Sequence, residues 1–448
     1  MERRERTGHR ASGRADANWE LIQLSNGAQL VLAPMPDRQS VAASVLLRVG
    51  SRWESRRLAG VSHFLEHIVF KGTRRFPTSR SVSESIEGIG GILNASTDKE
   101  LTNFWVKVPG GHLEEALRLL FDLAFAPTID EVEVERERKV VLEELHMYLD
   151  QPGELVQMIF DRLLWGDHPL GRDPAGSRAS LVRIGAAELS GYRSAFYIPD
   201  RVVVVVAGGF DPGEARGLVE RYFAEQDPGE VAPYGHRTDG GVPPSLSDQP
   251  EVKLRRRRGE QVHILLGVRC PSYLDPDRWA LEVLNTALGE GMSSRLFLEL
   301  RENQALAYDV HSLVSRHRDS GSFAVYMATQ PHQLQTAVRG ALAEVRRLMH
   351  EPIGADELAR TKTRIEGRLR LQLEGTSSMA EFLGQQAALT GSVMSSEQVI
   401  AAVCAVSAEE VQELARRLFA GVGWRLAAVG PVGGLTDLVS SISDGGAA

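Results

Sequence analysis

The sequence predicts an α+β protein of two homologous domains from a duplication, each a mostly antiparallel sheet packed with helices. Three observations carry this. At 448 residues the chain is too long for one compact core. One stretch, 227–250, is so dense in Pro, Gly, Asp and Ser that it reads as a linker. Beyond it the pattern restarts. "QVHILLGVRCPSYLDPDRWALEVLNTAL" runs strand, short polar loop, helix, in the order and spacing of "VAASVLLRVGSRWESRRLAGVSHFLEHIV". Near the end, "WRLAAVGPV" (424–432) echoes "RVVVVVAGG" (201–209). The expected division is a tail at 1–17, a first domain at 18–227, a linker at 228–250, a second domain at 251–436 and a tail at 437–448.

In the first half, Asn26-Gly27 between two strand-like runs signals a turn. "SVAASVLLRVGS" reads as a buried strand. A helix is predicted over 57–71, where Leu58, Val61, Phe64, Leu65, Ile68 and Val69 recur at helical spacing. Residues 79–89 suggest a second helix, ended by the glycines between Gly88 and Gly91. A strand follows at 101–108, then helices at 112–125 and 131–149, a buried strand at 201–209 and a helix at 212–224.

Composition narrows the function classes. Apolar content is 43%, charged content 25% and the net charge −8, values ordinary for a soluble globular protein and without the basic field that nucleic acid requires. The run Arg255–Arg258 is a local exception, read as a solvated strand entrance. Cys270 and Cys404 lie far apart and lack CxxC spacing, so reduced, buried thiols are expected rather than a disulfide or thiolate site. The first 17 residues are Arg-rich but include Glu2, Glu5 and Asp16 and have no apolar stretch, which does not fit a secretory signal. No apolar run reaches membrane-spanning length. A cytoplasmic protein without membrane or nucleic-acid partners is expected.

The sharpest chemistry lies in Gly60-Val61-Ser62-His63-Phe64-Leu65-Glu66-His67. On a helix, His63 and His67 project from one face about 40° apart, so both imidazoles can share one zinc ion. Glu66 sits about 60° to the other side of His63, beside the metal without having to bind it. That placement suits a base that takes a proton from water. The order mirrors the commoner HExxH motif. The alternative is a pair of histidines hydrogen-bonded within a core. A catalytic zinc takes three protein ligands. The helix at 131–149 offers many carboxylates, and its geometry sorts them. Val134, Val141 and Leu145 define an apolar face, and Glu143 lies opposite it. Glu137 and Glu144, seven residues apart, share an azimuth flanking that face. Glu144 is the candidate ligand, and Glu137 a candidate acceptor for a ligand imidazole N–H. For both, an ordinary acidic helix surface is the competing reading.

"GVSHFLEHIVFKGT" followed by "ERERKVVLEEL" resembles the pitrilysin/insulinase-type zinc peptidases, the inverted-motif zincins. The similarity is greatest to the branch of the mitochondrial processing peptidase β subunit and its bacterial relatives, and it runs from about residue 20 to about 430. The resemblance implies one Zn²⁺ per chain held by His63, His67 and Glu144, with Glu66 as general base and Glu137 in support. "GGILNASTDKELTNFWVKV" resembles the strand that holds substrate, with Gly90, Gly91, Asn94, Ala95 and Thr97 at family-like positions. Its role would be β-augmentation by an extended peptide. Phe104 stands where the family often has Tyr. "GEGMSSRLFLELRENQALAY" resembles the substrate-contacting segment of the second half. Its Arg and Tyr carry over to Arg301 and Tyr308, the latter donating to the carbonyl oxygen under attack. Alternatively Arg301 pairs with a Glu of its own helix.

The second half has no His matching His63 or His67. Some bacterial relatives divide the zinc motif and the Arg/Tyr pair between subunits, whereas this chain has both. The resemblance therefore implies a self-sufficient zinc metalloendopeptidase acting on short or unfolded polypeptides, with a homodimer as the expected form. A catalytically silent scaffold or partner subunit of the same family is the alternative. The glycine-rich loop of the mitochondrial α subunit has no clear counterpart.

Overall fold

The structure is a computed structural model that describes residues 19–225, 240–432 and Ile442. The predicted tails, Ile442 apart, and positions 228–239 of the predicted linker lie outside the described residues. Strands β1 (Glu20–Gln23) and β2 (Gln29–Pro34) form a hairpin around Asn26-Gly27, where Gly27 takes a φ of 93° that favours glycine. With β3 (Ser40–Leu47), β4 (Ile92–Thr97), β5 (Thr102–Pro109) and β6 (Val202–Gly208) they build a six-stranded sheet in the order β1-β2-β6-β3-β5-β4. Strands β7 (Glu251–Arg256), β8 (Val262–Arg269), β9 (Asp309–Arg316), β10 (Gly321–Thr329) and β11 (Arg425–Gly430) form a second sheet in the order β7-β11-β8-β10-β9.

Setting β1 aside, the sheets share one topology. In each, the first, fifth, second, fourth and third strands of the half lie side by side. In each, the first and fifth strands pair parallel and every other pair is antiparallel. The repeated strand order is the structural form of the sequence restart.

The helices of the first half that matter for the site are α1 (Val61–Val69), α2 (Ser79–Glu87), α3 (Leu113–Phe125), α4 (Glu131–Asp150) and α5 (Pro152–Trp165). The predicted helix at 57–71 is shorter than expected. Gly60 has a φ of 96°, which breaks the helical backbone, and Arg56–Leu58 form a separate 3₁₀ turn before it. Helix α5 lies in a stretch where the sequence suggested no element. Pro152 at its first position and Gly166 after its end mark its limits.

The two halves exchange helices. Val156, Phe160 and Leu164 of α5 pack against Leu265, Ala324, Ala427 and Val429 of the second sheet. Reciprocally, the helix Thr376–Thr390 packs Ala380, Leu383 and Ala387 onto Val31, Leu46, Val203 and Val205 of the first. Strand β6 is therefore buried on both faces. Val202, Val204 and Val206 join the main core of the first half, and Val203 and Val205 meet the crossing helix. This double burial is why β6 is an unbroken valine run rather than an alternating strand. Glycines permit the close approach. A Cβ on Gly384 would lie 2.9 Å from Leu46 Cδ1, and one on Gly267 would lie 2.8 Å from Phe160 Cζ.

An ionic tie joins the same halves. Arg52, 1% exposed, donates to Glu100 Oε1 at 2.7 Å, to Asp319 Oδ2 at 2.6 Å and to the carbonyl of Gly241 at 2.8 Å. The β4–β5 turn, through Glu100, thereby meets the β9–β10 turn, and Glu100 Oε2 accepts the backbone N–H of Arg318 at 2.7 Å. His317 is buried beside the Trp165 ring, 5.8 Å away. Burial pushes its imidazole down to about 4, with Asp98 opposing that shift. A histidine depressed in the folded state contributes stability above its ordinary value near 6.5, lost as pH falls through about 4. Urea denaturation at pH 7.5 and pH 4 should show a loss from this group of about 3 kcal/mol, which His317→Gln removes.

Strand β7 is an edge strand whose Lys253, Arg255 and Arg256 are exposed, and such charge blunts an open edge. Arg257 reaches Asp150 at the end of α4, 2.7 Å away. The thiols differ from expectation. Cys270 is half-buried and Cys404 is exposed, because only one face of the helix Ser396–Ala405 is covered, by way of Ile400 and Val403. Both are free.

Candidate metal centre

Helix α1 is set by its N-terminus. The buried Glu54 carboxylate accepts the backbone N–H of Gly60 at 2.7 Å and of Ser62 at 2.9 Å, satisfying donors that the first turn leaves open. Burial pushes this carboxyl up to about 7, against the pull of those two donors. Glycine is required at position 60, since a Cβ would lie 2.8 Å from the carbonyl oxygen of Ala175. Phe64, Leu65 and Ile68 are fully buried, so the opposite face of α1 presents His63, Glu66 and His67.

Helix α4 lies across that face. Val134, Val141 and Leu145 are buried, Glu143 is 82% exposed, and Glu137 and Glu144 point inward at 7% and 22%. Glu144 Oε2 lies 3.2 Å from His67 Nε2 and 3.7 Å from His63 Nε2. The three donor atoms all lie within 4.8 Å of one another. Ligand atoms on a tetrahedral zinc are separated by about 3.3 Å, so this donor set fits that ion.

The surrounding contacts fix each donor. Glu137 Oε1 lies 2.9 Å from His67 Nδ1, and Lys71 Nζ lies 2.6 Å from Glu137 Oε2. With its proton on Nδ1, His67 turns the Nε2 lone pair toward Glu144 and His63. Burial acts against charge on Glu137, yet His67 and Lys71 hold its carboxyl below the usual range. Burial likewise opposes charge on His67, but Glu137 and Glu144 raise its pKa. His63 is pushed down to about 4 by burial and by His67, with Glu144 opposing, so it is a neutral donor near pH 7. Tyr148 Oη donates to Glu144 Oε1 at 2.5 Å and so holds the other carboxylate oxygen.

Glu66 stands beside these donors. Its Oε2 is buried and has no hydrogen-bond partner among the described residues. Burial raises its pKa, Thr97 and His67 oppose, and Glu144 adds to the rise. Replacing Glu137 by Gln weakens the hold on His67. Its zinc affinity should fall about 10- to 100-fold in a chelator competition assay.

A cavity of about 410 Å³ opens over this cluster, bounded by His63, Glu66, Thr97, Glu144, Tyr148 and Glu154 among others. The end of strand β4, Ser96 and Thr97, lines it, and β4 is a sheet edge paired with β5 on one side. Asn94 on β4 is exposed, whereas Ala95 and Thr97 are half-buried. Arg301 and Tyr308 are elsewhere. They sit together in the second half, the Arg301 guanidinium 5.2 Å from the Tyr308 ring centre and 4.8 Å from that of Phe297. Arg301 lies in the last turn of a π-helical segment, Phe297–Asn303, and approaches Glu302 at 3.9 Å. Tyr308 is 72% exposed. Neither lines the cavity.

Tyr148, Lys71 and Glu54 were not singled out in the sequence. Two of them had a signal. Tyr148 follows Glu144 by four residues and Lys71 follows His67 by four, the spacing that puts side chains on one helical face. Glu54 had none, because its partners depend on how the chain turns back into α1.

Two family models match the chain. One, described as insulinase (peptidase family M16), covers residues 30–177, and one described as the peptidase M16 inactive domain covers 183–365. The uncharacterized zinc protease YmxG of Bacillus subtilis is 36% identical over 410 residues, 92% of this chain and 98% of the relative. An uncharacterized zinc protease of Mycobacterium tuberculosis is 36% identical over 397 residues, 88% of this chain and 89% of the relative. Among solved structures, a protease from Helicobacter pylori superposes with a TM-score of 0.86 at 23% identity, over 92% of this chain and 99% of that one. A peptidase M16 inactive domain from Pseudomonas fluorescens gives 0.84 at 18% identity, over 92% and 98%.

Proposed function

Because the chain belongs to the insulinase (M16) peptidase family, we propose that it is a zinc metalloendopeptidase, an inverted zincin, that hydrolyses peptide bonds in short or unfolded polypeptides. The observation that carries the reading is the convergence of His63, His67 and Glu144 with the unpartnered carboxylate oxygen of Glu66 beside them. Held by those three side chains, zinc would supply Lewis acidity, lowering the pKa of a water and polarising the peptide carbonyl.

The remaining work falls to this chain's own residues. Glu66 accepts the proton of the attacking water and returns it to the departing amine nitrogen. Thr97, the last residue of β4, stands beside Glu66 in the wall of the cavity. That strand offers its open edge, with Asn94 and Ala95, to an extended peptide as a further strand. Arg301 and Tyr308 contact the peptide from the second half, with Tyr308 donating to the carbonyl oxygen once substrate is seated. Glu137 acts only through His67.

The second half, matched by the model described as an inactive domain, has no histidine on the helix Arg278–Gly289 that succeeds its first long strand. A silent scaffold would need no such complete donor set with a free carboxylate at its side. The proposed assembly is a homodimer, which sedimentation would test. The described residues contain no helix long and apolar enough to cross a membrane.

Purified protein incubated with a pool of unstructured peptides tests the reading. Internal cleavage should vanish on chelation and return with one equivalent of zinc. Persistence of cleavage after chelation, or zinc-loaded protein that cleaves nothing, would overturn it.

A further inference from the structure

A second cavity, of about 360 Å³, lies wholly within the second half, away from the metal centre. Its volume is in the range of small-ligand pockets, and its walls come from several helices. Trp279, Ile365, Leu369, Phe382 and Val403 are among the apolar residues of the lining. Set into those walls are Arg278, Arg316 and Arg368, faced by a single carboxylate, Glu282.

The ion pairing is incomplete. Glu282 takes Arg316 at 2.6 Å and Arg368 at 2.8 Å, one on each oxygen. Arg368 also reaches Glu290. Among the described residues no carboxylate pairs with Arg278. Its Nη1 donates to the carbonyl of Tyr273 and its Nη2 approaches the sulfur of Met394 at 3.4 Å. The Nε atoms of both Arg278 and Arg316 are buried without a hydrogen-bond partner. The Arg278 guanidinium also lies 4.5 Å over the Trp279 ring, which holds the fork in place against a flat apolar surface. Burial and the nearby Arg316 both disfavour its charge.

A cavity with apolar walls, a surplus of fixed positive charge and two buried N–H donors without acceptors is built for an anion with an apolar body. We propose that this cavity binds a small amphipathic monocarboxylate, the carboxylate on Arg278 and Arg316 and the aliphatic or aromatic body among Trp279, Leu369 and Phe382. The occupant touches Phe382 and Gln386 of the helix Thr376–Thr390, which also covers the first sheet. Binding therefore stiffens the element that joins the halves, and it raises the unfolding temperature. The inference is independent of the proposed peptidase activity.

Isothermal titration of the full chain with octanoate and with N-acetylphenylalanine tests it. The first stands for a free aliphatic acid and the second for the C-terminus of a peptide. One of them should bind saturably and raise the unfolding midpoint, and which one does identifies the source. Octanol and N-acetylphenylalaninamide, which lack the charge, should bind at least tenfold more weakly. Arg278→Met, which keeps the stacking length, should lose at least tenfold in affinity. Should that variant not fold, Arg368→Gln at the more exposed rim should lose severalfold. Failure of both acids to bind, or equal binding by the uncharged analogues, overturns the proposal. So does undiminished affinity in a folded Arg278→Met.

Discussion

Glu66→Gln should lower peptide-bond turnover by about 10²- to 10⁴-fold, the range over which a positioned general base contributes. Zinc should stay at one per chain, since the three donor atoms that converge are those of His63, His67 and Glu144. The substitution is close to isosteric. The amide keeps the shape of the carboxylate but cannot act as a proton acceptor. Loss of turnover with retained metal separates the base from the ligands. Full activity in the variant would assign proton transfer elsewhere. An equal loss of metal and activity would show that Glu66 helps hold the ion. The kinetic split is also informative. A base acts in the transition state, so kcat should fall with KM nearly unchanged.

Second in expected effect is His63→Ala. Removing one of three donors leaves His67 and Glu144, and two ligands hold zinc poorly. The variant should purify with little or no zinc and show no measurable cleavage. A readout besides activity comes from linkage. A ligand that binds only the folded state at about a thousand times its Kd stabilises it by about 4 kcal/mol. Zinc should therefore raise the unfolding midpoint of the wild type and leave that of the variant unmoved. Each protein is compared with and without metal, so packing lost with the largely buried His63 ring drops out of the shift. A zinc-dependent shift of the same size in the variant would remove His63 from the ligand set.

Much of this was legible in the sequence because the signals are local. The i, i+4 spacing of His63 and His67 puts them on one face whatever surrounds the helix. The seven-residue interval between Glu137 and Glu144 does the same on α4, and the apolar positions of α4 separated both from Glu143. The restart after the linker was likewise visible as a repeated order of strand, loop and helix.

Other features were set by tertiary packing. Helix α5 has an apolar face whose partner sheet lies in the other half of the chain, and nothing local points there. The valine run of β6 announced burial on both faces but not what covers the second, which is the helix Thr376–Thr390, far later in sequence. Glu54 and Arg52 serve buried contacts that exist only once distant turns are brought together. Arg301 and Tyr308 can be matched by resemblance, yet their distance from the metal centre depends on how the halves are set against each other.

The sequence by itself determined the repeated α+β framework, the helical faces that carry His63, Glu66, His67, Glu137 and Glu144, and the absence of a second set of histidines. Only the tertiary structure decided that α1 and α4 cross so that three donors converge, that β4 is the open edge beside them, and that each half lends a helix to the other. The reason is physical. Periodicity fixes where side chains point around one element's own axis, whereas the distance between two elements is fixed by the packing of every residue between them.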